Sequence, residues 1–161
     1  MFEQEPERVI RDHAPLSLII IGIDHFKQIN DTFGHIVGDR ILKISASMIT
    51  GCLKGRDMVV WFGGKEFIVL LPDTQLNGTT ILAEHICTYL RNMNWKCKET
   101  CQRIGQVFIS PGVSEYRPGE SLDSLKHRAD QALYLSKTNG RYRATSEASL
   151  KKSYFVAGNR E

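Results

Sequence analysis

An almost unbroken apolar run, Leu16–Ile23, constrains the fold more than any other part of the sequence. It contains three consecutive isoleucines and no charged residue, and it ends at Asp24. β-branched residues favour extended backbone, and a continuous apolar run of this length is typical of a strand that is buried on both faces. We therefore predict a central strand here, in a sheet that other elements cover on both sides.

Periodic patterns predict further elements along the chain. Apolar residues recur at helical spacing in three segments, which are 39–53, 79–93 and 122–136. Short β-type runs lie at 58–62, 67–71 and 107–113. The first two runs flank a loop with a glycine pair, which is typical of a β-hairpin, and Pro111 with Gly112 indicates a bend or an edge in the third. This order predicts an α/β fold (α+β) with a central mixed or antiparallel sheet flanked by helices, rather than strict β-α alternation.

Length and composition exclude several classes of protein. The 161 residues suit one domain, and a net charge of +3 is too small to predict binding to nucleic acid. No apolar run approaches the roughly 20 residues that a membrane-spanning helix needs. The cysteines have no histidine neighbours at zinc-like spacing, so we expect free thiols in a reducing cytoplasmic compartment. They are Cys52, Cys87, Cys97 and Cys101.

Several short motifs occur in a fixed order. They are Ile23-Asp24-His25-Phe26-Lys27-Gln28-Ile29-Asn30-Asp31, Gly34-His35-Ile36-Val37-Gly38-Asp39, Gly63-Gly64-Lys65-Glu66-Phe67, Ser110-Pro111-Gly112-Val113, and Arg128-Ala129-Asp130-Gln131-Ala132-Leu133-Tyr134 with Lys137 and Gly140-Arg141. Together they resemble the GGDEF domain of diguanylate cyclases over about residues 16–143. The resemblance implies a palm-like nucleotidyl-cyclase fold, with residues 1–15 as a truncated N-terminal helix and 144–161 as a loosely ordered tail. It also implies a chain cut from a longer protein, whose missing region supplies sensory input and any membrane anchor.

The resemblance implies a chemistry for which this sequence lacks essential groups. Diguanylate cyclases join two GTP molecules using Mg²⁺, which prefers hard oxygen ligands. The family's metal positions correspond to Gly22, the backbone carbonyl of Ile23, and Lys65, so both carboxylates are lost. Asp24 lies roughly 6–7 Å further along the strand, too far to replace a ligand that must sit about 2.1 Å from the ion, and Glu66 should point elsewhere. We therefore expect a degenerate catalytic site and no regular Mg²⁺ site. One hypothesis is that the Lys65 ammonium lies where the ion would otherwise be, so that GTP binds without metal while turnover is blocked. Drift of a residue that is no longer under constraint is the alternative.

The nucleotide contacts of the family are better preserved. The resemblance implies that Asn30 and Asp39 bind guanine and that His35 lies near the base or ribose. It assigns phosphate contacts to three basic residues, Lys27, Lys137 and Arg141. Taken alone, Asn30 and Asp39 fit helix caps equally well, and basic residues near a helix end fit solvated charges.

A product-inhibition site is expected to be degraded. The family's R-x-x-D motif corresponds here to Lys54-Gly55-Arg56-Asp57, and a further family arginine corresponds to His85. Lysine is a point charge without the flat fork of a guanidinium, so we expect weak or absent binding of cyclic di-GMP.

These observations favour a GGDEF domain of cyclic di-GMP signalling that is catalytically inactive or severely impaired. It would act as a regulatory GTP-binding or interaction module, within a homodimer or with another GGDEF domain. An active cyclase with unusual metal ligation is the alternative. A third reading is that Gly22 and Lys65 were engineered, or that the chain is a decaying fragment.

Overall fold

The structure is a computed structural model that describes residues 14–96, 103–138 and 145–148. Four helices lie in these ranges: α1 (Phe26–Phe33), α2 (His35–Cys52), α3 (Leu76–Asn92) and α4 (Leu122–Thr138). The strands there are β1 (Leu16–Ile23), β2 (Met58–Gly63), β3 (Glu66–Pro72), β4 (Trp95–Lys96), β5 (Arg103–Gly105), β6 (Ile109–Glu115) and β7 (Thr145–Ser146). None of the helices in the described ranges is long and apolar enough to cross a bilayer.

The main sheet has five strands in the order β2-β3-β1-β6-β7, with β1 at its centre. All neighbouring pairs are antiparallel except β6 and β7, which run parallel. Strands β4 and β5 form a separate two-stranded ribbon. The predicted mixed sheet with flanking helices is therefore confirmed.

The two faces of β1 explain why its sequence is apolar throughout. Ile19, Ile21 and Ile23 belong to a core cluster with side chains of α2 and α3. The alternating residues Leu18 and Ile20 belong to a second cluster with side chains of α4. Side chains of a strand alternate between faces, so a central strand covered on both sides must be apolar at every position.

A glycine lets α4 lie close to the sheet. A Cβ at Gly112 of β6 would overlap the backbone of Ala129 and Leu133 on α4. This close approach gives Gly112 a packing role, and it fixes the height of α4 above the strands. The end of α4 is thereby positioned over the end of β1.

Several element boundaries differ from the sequence prediction, among them the start of α3 at Leu76 rather than residue 79. Helix α2 begins at His35 rather than residue 39, directly after the eight-residue α1, because Gly34 with φ 92° separates the two helices. Strand β6 is 109–115 rather than 107–113, and it is an edge only in part, since β7 pairs with Gly112 and Val113. The predicted helix over 1–15 falls mostly outside the described residues, and Ala14 and Pro15 are not helical.

Thr145 and Ser146 form a strand of the sheet, although the sequence predicted a loosely ordered tail from 144. Arg128 of α4 donates hydrogen bonds to Glu120 and Glu147 and to the backbone carbonyl of Glu115 at 3.0 Å. The side chains of Arg128, Glu120 and Glu147 are 11–12% exposed. A strand of two residues has no detectable period, so the prediction missed it; the rest of the tail lies outside the described residues.

Candidate functional site

The end of β1 brings three polar or small residues onto the face that α4 covers. Gly22 lies opposite Glu66 of β3 on one side and Ser110 of β6 on the other. Directly opposed residues of an antiparallel pair share a face. Above them, the Nζ atom of Lys137, in the last turn of α4, lies 3.5 Å from the position that a Cβ on Gly22 would take. The Lys137 ammonium therefore lies beside the position where the family has a metal carboxylate.

Asp24 is engaged by its neighbours. It is 3% exposed, and the Ser110 hydroxyl lies within hydrogen-bond distance of both carboxylate oxygens, at 2.9 and 2.8 Å. The Asp24 amide donates to the carbonyl of Phe108 at 2.9 Å. These contacts hold Asp24 against β6.

The glycine pair forms a tighter turn than predicted. Gly63 belongs to β2 and pairs with Glu66, so only Gly64 and Lys65 form the loop. Gly63 and Gly64 have φ values of 103° and 55°, which glycine adopts without strain. The Ile23 amide donates to the Lys65 carbonyl at 3.1 Å, which fastens the tip of the hairpin to the end of β1.

The residues at the end of β1 do not fit a magnesium site. Gly22 has no side chain, Lys65 is cationic, and only the Ile23 carbonyl remains of the family's three positions. Within residues 14–96, 103–138 and 145–148, no group of three or more His, Cys, Asp or Glu side chains could hold a metal ion. Magnesium needs several oxygen ligands, and carboxylates supply the charge that holds it.

A cleft of about 300 Å³ lies between α2 and the hairpin. That volume is at the lower end of the range for small-molecule pockets, and such pockets combine apolar walls with a few polar groups. Among the described residues that line it, Asp39 supplies the only carboxylate. The lining residues are Asp39, Leu42, Lys43, Ala46, Trp61 and Phe67.

Asn30 lies next to this cleft through its contact with Gly38. A Cβ on Gly38 would overlap Asn30 Oδ1, so the amide packs directly on the backbone that precedes Asp39. Asn30 Oδ1 is buried and accepts no hydrogen bond within the described part of the chain. A buried acceptor of this kind is costly unless a ligand or water supplies a donor.

Other predicted contacts surround the start of α1 and α2. Lys27 is exposed in the first turn of α1, and His35 is exposed as the first residue of α2. His25, which precedes α1, has a left-handed backbone with φ 55° and makes no side-chain cap hydrogen bond. Arg141 lies outside the described residues.

Burial raises the pKa of both cysteine thiols in the described part of the chain, Cys52 and Cys87. Burial, with Asp24 and Glu84 nearby, raises the pKa of the Cys87 thiol to about 12. Its Sγ lies 3.9 Å from the carbonyl of Ile109, to which it can donate. Cys52 and Cys87 are free thiols, and Cys97 and Cys101 lie outside the described residues.

The comparison with protein families decides the classification. The family described as "Diguanylate cyclase, GGDEF domain" matches residues 1–143. The chain belongs to this family. The predicted GGDEF identity and its place in cyclic di-GMP signalling are therefore confirmed.

The regions that match this GGDEF domain lie within longer proteins. Diguanylate cyclase DgcP of Pseudomonas aeruginosa is 40% identical over 141 residues, which are 88% of this chain and 21% of that protein. Diguanylate cyclase A of Treponema denticola is 42% identical over 131 residues, which are 81% of this chain and 34% of that protein. The chain thus spans about a fifth to a third of the length of these relatives.

Solved GGDEF domains share the fold. The GGDEF domain of DgcB from Caulobacter crescentus, in complex with c-di-GMP, is 32% identical with a TM-score of 0.86, covering 91% of this chain and 88% of that one. The active GGEEF domain of a diguanylate cyclase from Vibrio cholerae is 34% identical with a TM-score of 0.79, covering 88% of both chains. These similarities agree with the predicted palm-like fold.

The predicted product-inhibition residues of the GGDEF domain lie on two elements. The Lys54 amide donates to the Asp57 carboxylate at 3.1 Å, and the Asp57 amide donates to the Lys54 carbonyl at 3.0 Å, which closes a local turn after α2. Arg56 forms an ion pair with Asp73. His85 lies on α3 and stacks on Tyr89 with the ring planes at 4°.

Sequence reasoning missed most of the cleft. Leu42 and Ala46 were assigned only to an amphipathic helix, and Trp61 and Phe67 only to strands. Gly38, the second glycine of the G-H-x-x-G-D motif, was the one signal in the sequence that could have indicated the cleft. Its contact with Asn30 becomes apparent only when the packing of α1 on α2 is known.

Proposed function

We propose that this GGDEF domain binds GTP as a regulatory module and does not convert it to cyclic di-GMP at an appreciable rate. The observation that carries the proposal is the buried Asn30 Oδ1 against Gly38, which accepts no hydrogen bond from any described residue. It lies beside a cleft of about 300 Å³ with largely apolar walls, while Gly22 and Lys65 stand where the resemblance implies the two metal carboxylates. The site therefore retains groups for binding and has lost groups for catalysis.

Guanine is the base that these polar groups favour. Its N1 and N2 atoms carry hydrogens that can be donated to the Asn30 carbonyl and the Asp39 carboxylate. Adenine has an acceptor at N1, which would face a carboxylate or a carbonyl without a hydrogen between them. A site built to accept hydrogen bonds rejects a ligand that lacks the donors, because its buried acceptors stay unpaired.

The phosphates would lie at the junction of α1 and β1. The first turn of α1 offers backbone N–H groups, and its preceding residue supplies no side-chain cap. Lys27 in that turn and Lys137 at the end of α4 add positive charge. A second GGDEF domain, in a homodimer or a heterodimer, is the proposed partner through which nucleotide binding would be transmitted.

An active cyclase with unusual metal ligation is the second candidate. Glu66 favours it, because this carboxylate lies directly opposite Gly22 and shares its face of the sheet. Asp24 is close as well, but the Ser110 hydroxyl already lies within hydrogen-bond distance of both of its oxygens. Turnover measurements distinguish this candidate, as described in the Discussion.

GTP binding can be followed with the protein's own tryptophans. Trp61 lines the cleft and is 58% exposed, whereas Trp95 is 2% exposed, and the chain has no other tryptophan. We expect GTP to change the Trp61 emission and to release heat in a calorimetric titration. We expect ATP to bind about 100-fold more weakly because it lacks the N1 and N2 donors.

Gly38→Ala tests whether GTP binding depends on the packing of Asn30 against Gly38. The added methyl must displace the Asn30 amide, while alanine is the better helix former by about 1 kcal/mol. We therefore expect the fold to remain stable and GTP affinity to fall at least about tenfold. Gly51→Ala, in the same helix with no atom within 4 Å of the added methyl, is the matched control. Equal GTP affinity in Gly38→Ala and the parent chain would contradict the proposed guanine contacts.

Cyclic di-GMP should bind weakly at the turn after α2. Lys54 is exposed and supplies a point charge, whereas an arginine could contact phosphate with two parallel hydrogen bonds. We expect Lys54→Arg to strengthen calorimetric binding of cyclic di-GMP about tenfold. Cyclic di-GMP binding by the parent chain that is as tight as binding by Lys54→Arg would contradict this prediction.

A further inference from the structure

We infer that GTP binds to this domain without a divalent cation, because the Lys137 ammonium takes over the charge neutralisation that a bound metal would provide. The inference rests on the proposed function and concerns the triphosphate end of the same site. It predicts a nucleoside triphosphate ligand in its metal-free form.

The Lys137 ammonium lies close to the end of β1. Its Nζ atom lies 3.5 Å and its Cε atom 3.7 Å from the place of a Cβ on Gly22. Gly22 is the last-but-one residue of β1, next to the backbone amide that donates to the hairpin tip. A carboxylate side chain at this position would contact the ammonium directly. Glycine has no side chain, so Lys137 can lie close to the end of β1.

The hairpin tip also carries a cationic residue. The Lys65 carbonyl accepts a hydrogen bond from the Ile23 amide, so the backbone of this second lysine is fixed beside the residue that follows Gly22. In a carboxylate site, two negative side chains cancel the two positive charges of one magnesium ion. In this chain glycine replaces one of those carboxylates and lysine replaces the other. Without a bound ion, the site is therefore at least as positive as a carboxylate site that holds magnesium.

The charge of the ligand favours its metal-free form at such a site. Metal-free GTP carries more negative charge than its magnesium complex, and an ammonium offers three donors to phosphate oxygens. A magnesium ion on the triphosphate would lie near the Lys137 ammonium, and like charges at short range repel. Metal-free GTP should therefore bind at least as tightly as the magnesium complex.

Calorimetric titration of the full chain with GTP, once in excess chelator and once in excess magnesium, tests the inference. We expect a dissociation constant in chelator that is equal to or lower than that in magnesium. Binding that occurs only with magnesium, or that weakens more than about tenfold in chelator, would overturn the inference and leave the proposed function standing. An absence of GTP binding under both conditions would overturn the proposed function, and the inference with it.

Substitutions in chelator identify the responsible lysine. Lys137→Met should lower GTP affinity about 10- to 100-fold, which is the range for a lost charge-assisted hydrogen bond, and Lys137→Arg should retain most of it. Lys126→Met removes the same charge from the same helix and is the matched control. Thermal unfolding monitored by circular dichroism verifies that each variant is folded. Equal affinities of Lys137→Met and Lys126→Met would overturn the assignment of Lys137.

Discussion

Joint replacement of Gly22 by Asp and Lys65 by Glu should raise cyclic di-GMP formation about a thousandfold or more above that of the parent chain, measured with GTP and magnesium. The parent chain should show no turnover above background. Transition-state charge stabilisation of about 4 kcal/mol corresponds to a thousandfold in rate. A site that lacks both metal carboxylates should have lost at least that much.

The single replacements should each remain inactive. Gly22→Asp would put its carboxylate beside the Lys137 ammonium while Lys65 stays cationic. Lys65→Glu alone would leave Gly22 without a ligand. Residues that act as a unit give strongly non-additive effects, so the gain should need both changes.

The controls separate inactivity from misfolding. The active GGEEF domain from Vibrio cholerae, assayed in parallel, shows that the assay detects turnover by an isolated domain. Thermal unfolding shows whether each variant retains the fold. Cyclic di-GMP formation by the parent chain that is abolished by Glu66→Ala or Asp39→Ala would contradict the proposal and favour unusual metal ligation.

Arg128→Met should lower the free energy of unfolding by about 3 kcal/mol or more, as expected when one partner of a buried ion pair is removed. The guanidinium joins Glu120 and Glu147, whose side chains are 12% and 11% exposed, and reaches the Glu115 carbonyl. Methionine keeps much of the apolar stem but leaves two carboxylates without their cation. For a domain of this size the midpoint of thermal unfolding should fall by roughly 6–12 °C.

Arg117→Met provides the matched control for this prediction. Arg117 also lies near Glu147, at 3.9 Å, but its side chain is 56% exposed. Exposed pairs contribute about 0–1 kcal/mol because water screens them. Urea unfolding of both variants should show a large loss for Arg128→Met only, and equal losses would contradict a buried network around Arg128.

The fold could be predicted well because its determinants are local in sequence. The apolar run of β1 and the glycine pair of the hairpin each predict an element without knowledge of its neighbours. The prediction failed where an element depends on contacts from elsewhere. Gly34 separates α1 from α2 only through its backbone conformation, and β7 forms only because β6 and Arg128 are already in place.

The site could be predicted less completely for the same reason. The resemblance assigned Asn30 and Asp39 to guanine, and in the structure Asn30 packs against Gly38, the residue that precedes Asp39. The sequence indicated Lys65 as the cation that replaces the metal, whereas the structure brings Lys137, more than a hundred residues from Gly22 in the chain, against that glycine. The height of α4 above the sheet decides this contact, and it depends on the packing of Gly112.

Strand β7 also bears on how much chain the domain needs. The family match ends at residue 143, yet Thr145 and Ser146 pair with β6, and the Glu147 amide donates to the Val113 carbonyl at 2.9 Å. A sheet edge with unpaired backbone groups invites pairing with another chain. The segment 145–147 thus covers part of the edge of β6. The folded domain therefore extends beyond residue 143, where the family match ends.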